Sequence, residues 1–167
     1  EDMCQLAGKR TEQKYQGSYE MITRIIDQYS NASQLDKVNY WQQVVFSWII
    51  GNADMHLKNF SLYSPDKGKY ILSPTYDQVS TKIIMPEDTD EMALVLNGFQ
   101  KKLLVYDFRE AMLATGISEV VTNRILSGFA KYRNKWTECI DASFISDAQK
   151  QQYKELIDCR LETLSKE

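Results

Sequence analysis

The sequence predicts a mainly α protein, a bundle of helices around one short β-hairpin. Three observations carry that expectation. Apolar residues recur at spacings of three and four along several segments of the 167-residue chain. Only 7 Gly and 3 Pro interrupt it, with no internal repeat and no Ser/Gly-rich linker. One clear turn signal, Ser64-Pro-Asp-Lys-Gly68, stands between two β-prone runs.

The elements follow in order. Ser18 can cap a helix running to Tyr29, with Met21, Ile22, Ile25, Ile26 and Tyr29 on one stripe. A central helix is expected over about Leu35 to Ile50, where Val38, Trp41, Val45 and Trp48 share a face widened by Val44 and Ile49. The two tryptophans read as core. Gly51 then permits the left-handed turn that closes a helix, delivering Asn52 to Asn59 as a loop. Phe60–Tyr63 and Lys69–Leu72 are the expected hairpin strands. Thr81 to Glu91 reads as irregular, with Pro86 and four acidic residues, and Met92 to Gly98 as a short strand or buried turn. Tyr106 to Thr115 should form a helix closed at Gly116, and Ser118 to Tyr132 another, with Val121, Ile125, Leu126 and Phe129 facing inward. Ser146 and Gln149 make a capping-box pair for a last amphipathic helix bearing Tyr153, Leu156, Ile157, Leu161 and Leu164.

Composition narrows the function classes. Twenty Lys plus Arg against 23 Asp plus Glu give a net charge of −3, which argues against the whole domain being an electrostatic nucleic-acid binder. No apolar run is long enough for a membrane span, and Glu1-Asp-Met-Cys-Gln5 is not a signal peptide. Cys4, Cys139 and Cys159 are widely spaced, with His56 the single histidine, so reduced thiols in a cytoplasmic protein are expected rather than a disulfide framework or a zinc site.

The chemistry concentrates between Gly51 and Asp77. Asn52, Asp54, His56, Lys58 and Asn59 crowd the positions after the apolar central helix, where a plain connector needs only a cap and a turn. Asp54 precedes Asn59 by five positions and Asp77 by 23. That is the order and spacing of a kinase catalytic core: a catalytic-loop Asp, an Asn five residues on, and a second Asp beyond a short hairpin. One carboxylate accepts or orients the substrate hydroxyl proton, while an amide oxygen and a second carboxylate hold Mg²⁺ on the ATP phosphates. Mg²⁺ keeps much of its water, so one Asn and one Asp suffice as protein ligands. His56 stands where many protein kinases carry a phosphate-reaching Lys. Lys58, two residues later, takes that role here. A lone histidine is more often structural than chemical. Tyr76, before Asp77, either lines the nucleotide pocket or packs.

Beyond this loop the chain resembles the HipA-type serine/threonine kinases, toxin components of bacterial type II toxin–antitoxin pairs. The resemblance rests on Glu1-Asp-Met-Cys-Gln5, Lys14-Tyr15, Gly51-Asn-Ala-Asp-Met-His-Leu-Lys-Asn-Phe-Ser61, Pro74-Thr-Tyr-Asp77, Met92-Ala-Leu94 and Ile125-Leu-Ser-Gly-Phe-Ala130. It implies a helical kinase C-lobe, Asp54 as catalytic base, Asn59 and Asp77 as Mg²⁺ ligands, and His56, Lys58 and Tyr76 along the nucleotide phosphates, with Gln5 nearby. It further implies ATP as phosphoryl donor, an aminoacyl-tRNA synthetase as the kind of protein substrate whose phosphorylation produces dormancy and persistence, and a HipB-like DNA-binding antitoxin as partner. No Gly-rich phosphate loop occurs here. Residues 1–167 therefore read as one C-terminal domain, its N-terminal ATP-binding lobe either truncated or a separate polypeptide. Alone, such a chain is expected to bind ATP poorly and turn over little. Two other classes stay open: a non-catalytic kinase-fold binding module for an antitoxin or a separate N-terminal lobe, and a small-molecule phosphotransferase, which shares the Asp-to-Asn spacing.

Overall fold

The computed structural model describes residues 1–166 and is mainly helical, as the periodicity predicts. Among the described residues the α-helices run α1 (Met3–Leu6), α2 (Tyr19–Tyr29), α3 (Ser33–Ile49), α4 (Thr81–Ile84), α5 (Val105–Ala114), α6 (Glu119–Gly128), α7 (Arg133–Asp141) and α8 (Asp147–Ser165), with strands β1 (Leu62–Asp66) and β2 (Lys69–Leu72) between α3 and α4. No described helix is long and apolar enough to cross a membrane.

The organising element is α3. Tyr40, Trp41, Val44, Val45, Trp48 and Ile49 are each no more than 2% exposed, so this helix is buried around much of its circumference. It packs against α2, α6, α8 and β2. Polar side chains on it are buried because they have partners. Asp36 Oδ2 accepts from Ser30 Oγ at 2.5 Å and from the Leu72 amide at 2.8 Å, pinning β2 to the helix. Lys37 Nζ donates to Asp27 Oδ2 at 3.0 Å and to the Thr115 carbonyl at 3.2 Å. The expected start at Leu35 is two residues late, and Leu35 itself is exposed.

Several boundaries differ from expectation. The hairpin strands run deeper into the turn signal than the sequence suggests: Ser64, Pro65 and Asp66 belong to β1, and the turn is Lys67-Gly68, with Gly68 at φ 83°. Pro65 is tolerated because a two-stranded sheet leaves one edge of β1 without ladder bonds to lose. Pairing is Leu62 with Leu72 and Tyr63 with Ile71, irregular thereafter up to Asp66 with Lys69. Thr81–Ile84 forms a helical turn inside the segment expected to be irregular. Residues 92–98 are a buried connection rather than a strand, making only single bridges, Ser18 with Val95 and Leu96 with Phe99.

The largest correction is at the expected helix to Tyr132. It ends at Gly128, passes through a 3₁₀ turn over Ala130–Tyr132, and restarts as α7, an element the periodicity did not separate. Aromatic packing accounts for the break: Phe129, Tyr132 and Trp136 cluster, and Phe46 of α3 lies 6.3 Å from Phe129 and 6.0 Å from Trp136 between ring centroids. The final helix begins as expected, with the Ser146–Gln149 capping box formed. It buries Ile157, Leu161 and Leu164, and also Arg160, whose guanidinium donates to the Trp48 carbonyl and lies 4.6 Å over the Trp48 ring. Burial pulls that guanidinium down to about 10, with Glu91 opposing the shift. The three cysteines are free, Cys4 buried and Cys139 and Cys159 exposed.

Candidate active site

The site begins where α3 stops. Gly51 sits at φ 75°, a left-handed conformation that favours glycine, and a Cβ there would push aside Leu156 Cδ2, 2.6 Å away. The next residue does the joining. Asn52 is 2% exposed; its Oδ1 accepts from the Asp54 amide at 3.1 Å and its Nδ2 donates to the Asp77 carbonyl at 2.9 Å. One buried amide thus ties together two segments 25 positions apart. Asn59, on a 3₁₀ turn over Leu57–Asn59, is also buried, and its Nδ2 donates to the Asp54 carbonyl at 2.9 Å. The backbones of Asp54 and Asp77 and the side chain of Asn59, selected on spacing, are thus linked through the two buried amides, Asn52 and Asn59.

The floor of this group is rigid. The Tyr19 hydroxyl, fully buried, donates to the Met55 carbonyl at 3.0 Å, and the Leu57 amide donates to the Lys14 carbonyl at 3.1 Å. Ser47 Oγ donates to Gln78 Oε1 at 3.1 Å, fastening the segment after Asp77 to α3. Asp77 has φ 55°, a left-handed conformation that Asp tolerates better than most residues. Its side chain is exposed, whereas Asp54 is half-buried. The donor set therefore offers the Asp77 carboxylate and, with the Asn59 nitrogen committed to Asp54, the Asn59 amide oxygen. A hard cation such as Mg²⁺, which takes few protein ligands, suits that set.

The remaining expected residues fall into two places. His56 is buried at 6% exposure, with Nδ1 lacking a hydrogen-bond partner among the described residues. Burial, reinforced by Lys14, lowers its basicity below the ordinary histidine value. Lys58 and Tyr76 lie together on the α1 side of the loop. Lys58 Nζ pairs with Asp2 Oδ2 at 2.7 Å, which holds the ammonium above the usual lysine range. The Tyr76 hydroxyl donates to the Lys58 carbonyl at 2.8 Å and accepts from the Ser61 hydroxyl at 2.6 Å. The Lys58 charge is thus engaged by Asp2 rather than by the Asp54 group. Gln5 caps α1, its Oε1 accepting from the Asp2 amide at 3.1 Å.

Two residues have roles that the spacing does not assign. Asn52 stands in the sequence as one of several polar residues; its position two before Asp54, directly after the helix-closing glycine, is an Asx-turn signal that marks it. Tyr15 donates from its hydroxyl to Asp54 Oδ1 at 2.7 Å, a contact across 39 positions that no local pattern announces.

Residues 1–136 match the family model described as HipA-like C-terminal domain. A Sinorhizobium fredii protein named "Putative kinase Y4dM" is 44% identical over 91 residues, covering 53% of this chain and 22% of that protein. A Haemophilus influenzae protein named "Putative kinase" is 26% identical over 165 residues, covering 89% of this chain and 46% of that protein. The chain therefore spans less than half the length of these relatives. Among solved structures, the Shewanella oneidensis MR-1 toxin–antitoxin complex of HipA, HipB and operator DNA matches with TM-score 0.84 and 19% identity, over 96% of this chain and 42% of that one. The Helicobacter pylori proinflammatory kinase CtkA matches with TM-score 0.59 and 18% identity, over 98% of this chain and 64% of that one. At those identities the likeness is one of fold.

Proposed function

This chain belongs to the HipA-like C-terminal domain family, and from that premise we propose that it is the catalytic C-terminal domain of an ATP-dependent protein serine/threonine kinase. The single observation carrying this reading is the pair of amide bridges that unites Asp54, Asn59 and Asp77. A connector with no chemistry to perform has no physical need of two buried side-chain amides to hold the backbones of Asp54 and Asp77 in fixed register.

Each side chain then has a task. Asp54 orients the acceptor hydroxyl and takes its proton as the oxygen attacks the γ-phosphorus. Asn59 and Asp77 supply the oxygen ligands for Mg²⁺. Bound there, the ion would neutralise phosphate charge and align the donor. Asn52 keeps the two loops in register, which is the positional control that in-line transfer requires. His56, Lys58 and Tyr76 are assigned to the nucleotide side, Lys58 by exchanging Asp2 for a phosphate oxygen. Residues 1–167 act as one domain, and a second lobe covers the adenine and binds the α- and β-phosphates. A protein substrate of the aminoacyl-tRNA synthetase class, a HipB-like antitoxin and a cytoplasmic location complete the proposal. Relatives named as putative kinases support phosphoryl transfer, and the assembly of the structural neighbour HipA with HipB and operator DNA supports the antitoxin partner.

The test is transfer of radiolabelled phosphate from Mg²⁺-ATP to proteins of a bacterial lysate by the full natural polypeptide carrying these residues. Label is expected on protein, and loss of it in Asp54→Asn with ATP binding retained. Label confined to small alcohols would favour a small-molecule phosphotransferase. Absence of any transfer would favour a binding module.

A further inference from the structure

Tyr15 has no task in the chemistry assigned above, yet it is the hydrogen-bond donor to the Asp54 carboxylate, reaching Oδ1 at 2.7 Å. Among the described residues no other group donates to that carboxylate. The phenol ring is held on two sides. It stands edge-on to His56, with centroids 5.1 Å apart and planes at 80°, and Lys14 Nζ lies 4.9 Å from its centre. The backbone behind it is fixed by the Leu57 amide bonded to the Lys14 carbonyl. Tyr15 and Asp54 also line a common cavity of about 530 Å³, with Thr81, Met85, Asp88 and Asp90 among its other walls. Partial desolvation and the Asp54 bond push the phenol up to about 12, so it remains a proton donor through the neutral range.

We propose that Tyr15 is a positioning residue for phosphoryl transfer: it holds Asp54 by Oδ1 and leaves Oδ2 to receive the hydroxyl proton of an acceptor seated in this cavity. The inference rests on the kinase reading. A carboxylate turns broadly about its terminal torsion, and transfer loses rate steeply when a catalytic group is misoriented. Tyr15 removes that freedom. In the step, the acceptor oxygen bonds to the γ-phosphorus and the bond from that phosphorus to the bridging oxygen breaks. ADP departs with the electron pair, and the acceptor proton passes to Oδ2. Other charged or titratable groups near the pair are Lys14 and His56 on the Tyr15 side, Asp77 across the Asn52 bridge, and Asp88 and Asp90 in the cavity wall, the last facing Lys101 at 3.8 Å.

Tyr15→Phe deletes the hydroxyl and keeps the ring, and since Tyr15 is 48% exposed the variant should fold. In the full natural polypeptide, single-turnover transfer from Mg²⁺-ATP is expected to fall about ten- to a hundredfold, the scale of a misplaced catalytic group, with the dissociation constant for Mg²⁺-ATP unchanged. Introduced into Asp54→Ala, the same substitution should have no further effect, because the group it positions is gone. Undiminished transfer by Tyr15→Phe, or an equal loss on both backgrounds, overturns the positioning role while the kinase reading stands. No transfer by the unsubstituted protein overturns both.

Discussion

Residues 51–59 and the α7–α8 pair both adjoin α3, one at its C-terminal end and the other along its flank, yet different forces hold them. The loop is held by buried amides and a buried hydroxyl, Asn52, Asn59 and Tyr19, each spending its donors on backbone oxygens. The helical pair is held by area: Ile157, Leu161, Leu164 and Ile140 enter the core, each worth roughly 1.5–3 kcal/mol when fully buried, with Arg160 as the one buried charge. Directional bonds fix an atom's position to a few tenths of an ångström. Apolar burial is indifferent to such shifts. A site that must place three oxygens uses the first, and a scaffold that must only stay folded can use the second.

That contrast can be broken at four points, from the largest effect to the smallest. Asp77→Asn should abolish Mg²⁺-dependent transfer while leaving thermal unfolding nearly unchanged, because Asp77 is exposed and Asn also tolerates φ 55°. Transfer that survives would remove Asp77 from the metal. On the scaffold side, Leu161→Ala should cost about 2–5 kcal/mol in a denaturant titration, with transfer per folded molecule intact; a parallel loss of turnover would mean the flank also tunes the site. Asn52→Ala should do both, losing about 1–3 kcal/mol for the two bridges and most of the transfer. Stability lost without transfer would show the bridges to be structural only.

The smallest effect is a pH dependence. The folded chain holds His56 below its ordinary value of 6.5. As pH falls through the window beneath 6.5, the unfolded chain takes up a proton that the folded chain refuses, so stability declines, by at most about 1.4 kcal/mol per pH unit for one such group. Melting followed from pH 7.5 to 5 should show that decline, and His56→Gln should flatten it. A slope unchanged in the variant would assign the decline to other groups.

The elements most legible in the sequence were those written in local spacing. The stripe from Ile22 to Ile26 marked α2, Trp41 and Trp48 marked the buried face of α3, and Gly51 marked its end, all as observed. The Ser146–Gln149 pair marked the start of α8. The break between α6 and α7 was not legible, because Phe129 and Trp136 keep a helical spacing across it and only their packing on Phe46 shows that the chain turns. Most of the expected hairpin turn lies in β1 for a similar reason: Pro65 signals a turn locally, while pairing of Tyr63 and Asp66 on either side of it carries the strand through.

At the site, the sequence by itself determined the chemical inventory and its order: a carboxylate, an amide five residues later, a second carboxylate beyond a hairpin, and the helix that must end before them. Those are properties of neighbours along the chain, where backbone geometry converts spacing into position. Only the tertiary structure decided that Asn52 reaches Asp77, that Tyr15 reaches Asp54 and that Lys58 meets Asp2. A hydrogen bond between residues 25, 39 or 56 positions apart depends on how whole elements pack, and packing is set by the summed burial of the core rather than by any residue near the bond.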